Sequence, residues 1–462
     1  MGQVATPVVT GERAPSATTT ATTAATVRTA TQQRLRQLTG TAPARLRAAG
    51  VVLTTLVLLF GALTAWQVSV RAKAAGQVVT HSQPLSQDAA EIYRSLADAD
   101  TTAASAFLLA GDAPPALRER YEGDLATAAR LLAQAAARTD ASSDAQRWVA
   151  ELNQQLPKYA GLVETARAND RQGLPLGGAY LRYASKQMQG TMLPAAQKLA
   201  EAENQQLDRD YAAAESFPWT ALVLGLLTLG MLAWCQVLLL RRTNRVFNIG
   251  MLGASAAVLA GLLWLTVGTV SAGLDLGDSR AQGAVPLRVL NQARIEALQS
   301  RAAENLDLVA RGGSDSYDKD WLKYTGALAG APVADGRTRA GQGTLAQAAA
   351  GAPKDAAAAL EQAGKLFPSW DARHRAAEEG DDYAAAVKAV VGPGGTDTSE
   401  AVFSALDGQL GKAAAAELGA FERSADGVGG GLTALAVGAA VLALLAAAGV
   451  AAGLGRRLAE YR

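Results

Sequence analysis

Four apolar stretches, each about two dozen residues long and free of charged side chains, divide the chain at residues 48–70, 217–240, 247–272 and 431–454. A bilayer core is crossed by about 20 apolar residues in a helix, so each stretch is long enough to span one. Between them lie polar segments of about 145, six and 160 residues. The pattern predicts span, large polar block, span, tight turn, span, large polar block, span. Residues 1–47 and 455–462 form the two tails.

Inside the first block (71–216), apolar and small residues recur in alternating steps of three and four. Leu85, Ala89, Ile92, Leu96, Ala99, Ala103, Ala106 and Ala110 make the seam of one long helix, which Gly111 and Asp112 end. A second helix starts at Pro114-Pro115 and turns Leu117, Tyr121, Ala128, Leu132 and Ala135 inward. A third carries Ala145, Val149, Leu152, Tyr159 and Val163, with a kink expected at Pro157. After the Gly173–Gly178 turn, a fourth runs through Ala184, Met188, Ala195 and Leu199 toward the second span. Four long helices joined by short turns predict an antiparallel up-down bundle.

The second block (273–430) reads as a looser copy. A shift of 202 residues superimposes Pro84 on Pro286, Leu85 on Leu287, Leu96 on Leu298 and Gly111 on Gly313. Its Gly- and Ala-rich stretches blur the helix limits, and its third helix is expected to contain Trp370 and Tyr383. The predicted fold class is an all-α membrane protein, with four transmembrane helices and two tandem extracytoplasmic antiparallel four-helix bundles.

Charge supplies the orientation. Arg241, Arg242 and Arg245 occupy the short turn 241–246 with no acid beside them, which places that turn in the cytoplasm by the positive-inside rule. Both tails then lie inside with it. Tails and turn carry twelve basic residues against Glu12 and Glu460, which leaves the outer blocks with 31 basic and 40 acidic residues. Ala72-Lys73-Ala74 resembles a signal-peptidase site. However, the first apolar stretch exceeds a 7–15 residue signal core and follows a tail of about 47 residues, which favours an uncleaved anchor. That tail holds twelve threonines and too little apolar surface for a core, so it is expected to be disordered, with either phosphorylation or contact with anionic lipid as its role. The single cysteine, Cys235, lies within the second span and offers the outer blocks no disulfide.

Signals for chemistry are sparse, and the expectation is a non-enzymatic protein without metal or cofactor. The two histidines, His81 and His374, fall in different blocks, and no phosphate-cradling loop or nucleophile elbow is present. The run Glu378-Glu379-Gly380-Asp381-Asp382 reads as a solvated turn. The spans contain no Asp, Glu, Lys, Arg or His, which argues against a pump or transporter. One feature stands out: Asn291, Arg294, Leu298, Arg301 and Asn305 form a stripe on one helix, with Glu304 beside it. It is either an ordinary face with internal ion pairs or a strip that meets a partner. The matching stretch of the first block is again polar, with Asp98, Asp100, Thr101, Thr102 and Ser105. In the spans, Gly253, Ala257 and Gly261, and Gly449 with Gly453, recur every four residues, a spacing that lets helices approach closely in lipid.

The membrane-flanked bundle resembles the sensor domain of bacterial chemoreceptors and sensor kinases, although no output domain is seen after the last span. The fuller resemblance rests on the topology and on three segments. These are Leu96-Ala97-Asp98-Ala99-Asp100 with Phe107-Leu108-Leu109-Ala110-Gly111, then Ala166-Arg167-Ala168-Asn169 with Gly173-Leu174-Pro175-Leu176-Gly177, and Arg301-Ala302-Ala303-Glu304-Asn305-Leu306. They are similar to those of an actinobacterial membrane-protein family that acts between an extracytoplasmic glutamine- or amino-acid-binding lipoprotein and a soluble serine/threonine kinase. The predominance of arginine, 33 against 10 lysines, suits such a high-GC source. The resemblance implies a signalling adaptor whose partners are that lipoprotein, the kinase or its substrates, and membrane lipid. It leaves homo-oligomers open and points to no nucleic acid. An envelope scaffold and a direct small-molecule sensor are the alternatives.

Overall fold

A computed structural model describes residues 42–109, 113–139, 143–243, 248–310, 315–332, 341–380, 382–392, 397–425 and 428–459. The Thr-rich tail before residue 42, Gly111, Asp112, Arg245, Gly313, Asp381 and Gly394-Gly395 lie outside the described residues. Those residues are overwhelmingly helical and contain no strand. In chain order the helices are α1 (Ala42–Gln77), α2 (Gln83–Leu108), α3 (Pro115–Arg138), α4 (Asp144–Arg171), α5 (Leu176–Gln187), α6 (Leu193–Glu215), α7 (Trp219–Thr243) and α8 (Ile249–Ser279). They continue with α9 (Val285–Ala310), α10 (Asp315–Ala329), α11 (Thr344–Ala349), α12 (Lys354–Glu378), α13 (Tyr383–Val391), α14 (Ser399–Ala425) and α15 (Val428–Ala459).

The chain divides into two compact units. One comprises residues 1–67, 218–266 and 436–462, the other 68–217 and 267–435. Among the described residues four helices are long and apolar enough to cross a membrane, and each overlaps one of the apolar stretches. In the apolar unit, Leu53, Val57, Phe60, Leu232, Met251, Val258, Val450 and Leu454 pack together, while Leu58, Leu59, Val223, Leu226, Leu227 and Leu263 face outward. An outward apolar surface is what a lipid environment requires. Gln236 is interhelical: its amide donates from α7 to Met251 O and Ser255 Oγ of α8, both at 2.9 Å.

The small-residue stripes are only partly the packing faces. A Cβ on Gly449 would meet Gly250 O at 2.9 Å and Ala254 N at 3.2 Å, and one on Gly453 would meet Met251 N at 3.0 Å. The α8–α15 crossing therefore runs over Gly250, Ala254, Gly449 and Gly453, with Asn248 Nδ2 donating to Gly453 O at 2.8 Å. Gly261 sits in ordinary contact with Phe60, 3.6 Å from its would-be Cβ, and Ala257 is half-buried against the core. Gly253 is a correction: it is exposed and its Cβ would meet nothing within 4 Å, because the buried face of α8 follows Gly250 and Ala254.

In the polar unit, α2, α3, α4 and the α5–α6 pair form the first four-helix bundle. The second is built from α9, α10, α12 and α14, with short α11 and α13 added. Trp370 and Tyr383 fall on separate helices, α12 and α13, because Asp382 starts a new one, its carboxylate accepting from Ala384 N at 2.9 Å. The first helices, α2 and α9, pack on each other, and a single contiguous apolar core runs through both bundles.

The 202-residue offset recurs in the backbone. α2 and α9 are each 26 residues long and each follows a π-turn, at Val78–Ser82 and Arg280–Ala284. A third π-turn, Met188–Met192, separates α5 from α6. Each ends two residues before a proline (Pro84, Pro194 and Pro286). Proline has no N–H to donate and its ring crowds the carbonyl four residues back. The preceding residue bonds instead to the carbonyl five back: Gln83 N to Val78 O, Leu193 N to Met188 O, Val285 N to Arg280 O.

Candidate functional site

α2 and α9 meet through unusually polar faces. Asp98, Asp100, Thr101, Thr102 and Ser105 on α2 are buried, as are Ser300, Arg301, Glu304 and Asn305 on α9. Small neighbours (Ala97, Ala99, Ala302 and Ala303) are buried among them and let the backbones approach. Asn305 Nδ2 then donates to Thr101 O at 3.2 Å and Ser105 Oγ at 2.9 Å, and Gln299 Nε2 to the Tyr93 hydroxyl.

Around this contact, side chains of alternating charge form a continuous chain. His374 of α12 lies between Glu378 (Nε2–Oε1 3.2 Å) and Glu304 (Nδ1–Oε1 3.6 Å). Glu304 pairs with Arg301, one helical turn away, and accepts from Trp370 Nε1 at 3.1 Å. Arg301 reaches Glu400 of α14 at 2.6 Å. Glu400 also faces Arg120 of α3 at 3.5 Å. Arg120 makes a bidentate pair with Asp98, at 3.0 and 2.7 Å, and Asp98 faces Arg94 at 3.6 Å. Arg94 closes the chain on Glu91 at 2.7 Å. The links therefore cross from the second bundle to the first through Glu400.

Burial and pairing oppose each other at Glu304, His374 and Glu400. Burial pushes Glu304 up, but Arg301, His374 and Trp370 more than offset it and hold the carboxyl down at about 2. Burial pushes His374 down, and its pairing with the Glu304 and Glu378 carboxylates reverses this and raises it to about 9. Its ring also stacks on Trp321 at a centroid distance of 3.5 Å. Glu400 is held low by Arg301 and Arg120 against its burial. Asp100 lies off the chain, within the first bundle. Burial raises it although Ser185, Gln189 and Tyr159 all donate to it, at 2.7, 3.2 and 3.1 Å.

The stripe read from the sequence thus divides. Arg301, Glu304 and Asn305, with Asp98 and Asp100, are buried and engage partners inside the unit, so an outward partner-facing strip is not what they form. Asn291 and Arg294 line a cleft of about 350 Å³ between α2–α3 and α9–α14, together with Asp88, Glu91, Arg94 and Arg130. Arg294 donates there to Asp407 at 3.1 and 3.3 Å. Sequence reasoning missed Arg120, Glu400, His374 and Glu378. Arg120 and Glu400 are 280 residues apart, beyond any local periodicity, and Glu378 belongs to a run that reads as solvated. Among the described residues no cluster of three or more His, Cys, Asp or Glu side chains could hold a metal.

Residues 74–212 match the family model of the actinobacterial sensor domain. The match spans the first bundle, from α1 beside the π-turn to the C-terminal part of α6. With the four apolar helices it supports an actinobacterial membrane sensor. No curated protein and no solved structure matches the chain significantly.

Proposed function

We propose that this protein is a non-enzymatic signalling adaptor. Its polar unit lies outside the cell, with the tails and the 241–246 turn in the cytoplasm. It senses a ligand-loaded solute-binding lipoprotein and relays that state to a cytoplasmic serine/threonine kinase pathway. The sensor-domain match supports the sensing role, and the arginines of turn and tails support the orientation. The observation that carries the relay is the chain of charges between the bundles, buried at Arg301, Glu304 and His374 and half-buried at Glu400 and Arg120 where it crosses. Its links are discrete, and Arg120 with Glu400 joins helices of both bundles. Packed polar networks of this kind have alternative arrangements rather than continuous ones, and helix shifts of about 1–2 Å exchange them. A partner biases the exchange only if it binds the two arrangements with different affinity.

Titrating the purified full-length protein in nanodiscs with the loaded and the empty solute-binding protein tests this. The expected result is at least a fivefold difference in affinity, and equal, negligible binding of both forms refutes the reading. The cleft at Asn291 and Arg294 favours a second reading, direct sensing of a small molecule. A thermal shift of the full-length protein with free amino acids, in the absence of any binding protein, would select it.

A further inference from the structure

α5 is amphipathic in an unusual sense. Gly177, Leu181, Ala184 and Ser185 face the bundle, with Leu181 at 2% exposure. The opposite face, at steps of four and three, is Leu176, Tyr180 and Tyr183, exposed at 56%, 38% and 62%. Leu174 in the preceding turn adds a fourth apolar side chain at 43%. Single exposed apolar residues are ordinary, but among the described residues of 71–216 and 273–430 eight large ones are exposed and four of these fall between 174 and 183.

The helix is also firmly seated. A Cβ on Gly177 would lie 3.1 Å from Ala166 O, Asp170 N and the Phe107 ring, so α5 starts flush against α4 and the end of α2. The patch is thus a fixed surface rather than a loose turn. Its charge is out of character with its surroundings. Residues 171–200 carry four basic side chains and no acid, whereas the polar blocks together hold more acids than bases. Arg182 and Lys186 on α5 are exposed, and no ion pair among the described residues engages them. Tyrosine and arginine are side chains enriched at the energetic centres of protein interfaces.

We infer that the exposed face of α5, with Leu174, is the docking surface for a protein partner that presents an acidic rim around an apolar centre. Resting on the function proposed above, that partner is the extracytoplasmic solute-binding lipoprotein. The face lies inside the stretch that matches the sensor domain. Apolar contact at Tyr180 and Tyr183 supplies the fixed centre, and Arg182 and Lys186 steer an acidic partner and make its association salt-dependent.

A photo-crosslinking amino acid at position 183 of the full-length protein in its native membrane tests the surface. The expected adduct is a solute-binding protein, joined through a peptide flanked by Asp and Glu. Adducts with lipid, with cell-wall polymer or with a second copy of this chain overturn the inference. For the purified pair in nanodiscs, Y180S/Y183S is expected to weaken binding at least tenfold, and R182E/K186E to remove most of its salt dependence. Both variants alter exposed side chains, and unchanged melting temperatures would verify that they fold. If the variants bind like wild type, the α5 assignment falls while the adaptor reading stands. If no solute-binding protein binds the wild-type chain, both fall.

Discussion

Arg301 shows how much a single residue carries when it is buried with its partners. It is fully buried between Glu304 and Glu400. Removing one member of a buried ion pair leaves an uncompensated charge and costs about 3–5 kcal/mol, whereas replacing the whole group by apolar side chains is often neutral. Arg301→Met is therefore expected to lower stability by about that amount, and R301M/E304Q to recover part of it, because a neutral amide leaves no unpaired buried carboxylate at 304 and still accepts from Trp370. Urea unfolding of the detergent-solubilised protein measures both. His374 adds a pH dependence. Its folded pKa of about 9 lies above the ordinary 6.5, so its contribution is fully present below pH 6.5 and is lost as pH rises through 9. At 1.36 kcal/mol per unit, that contribution is about 3 kcal/mol. In His374→Gln the corresponding loss of stability between pH 6.5 and 9 should disappear, as melting temperatures across that window will show.

Elements are set by local chemistry, and here proline and glycine decide most. Pro84, Pro194 and Pro286 each follow a π-turn, yet Pro157 and Pro368 sit inside α4 and α12 without one. Proline removes the bond but does not by itself choose how the helix responds, and the packing of the neighbouring turn completes that choice. Among the spans, α8 and α15 pack at Gly449, where a side chain would collide with Gly250 O, but not at Gly253. Gly449→Leu should therefore separate the two helices at an overpacking cost of about 1–3 kcal/mol, while Gly253→Leu is tolerated. Cysteine pairs placed across α8 and α15 in a Cys235→Ser background read this out as lost crosslinking in the first variant and unchanged crosslinking in the second.

The two bundles behave as one folded body, because their core is contiguous and α2 packs directly on α9. The polar unit of wild type should therefore unfold in one calorimetric transition, with the α2 and α9 amides the slowest to exchange. Arg120 is the side chain of the first bundle that reaches Glu400 while also holding Asp98. Arg120→Ala should split that transition into two and speed exchange in α2 and α9, while the bundles themselves remain helical. A single unchanged transition would mean that the apolar contacts, with the Asn305 and Gln299 hydrogen bonds, join them without Arg120.

The sequence by itself determined the four spans, the helical class and the 202-residue repeat, because these depend on local composition and period: about 20 apolar residues in a row, heptad steps, and proline at fixed offsets. It also marked Arg301, Glu304, Asn305, Asp98 and Asp100 as unusual, since charge among small residues on one helix is visible locally. Which way they face was left open, because a helical period fixes a common face and not what covers it. That was a tertiary decision: α9 lies on α2, and the marked residues close inward. The same packing brought in Arg120, Glu400 and His374, whose partners are distant in sequence. It also left the Leu176–Tyr180–Tyr183 face of α5 uncovered, since one side of that short helix already satisfies the bundle.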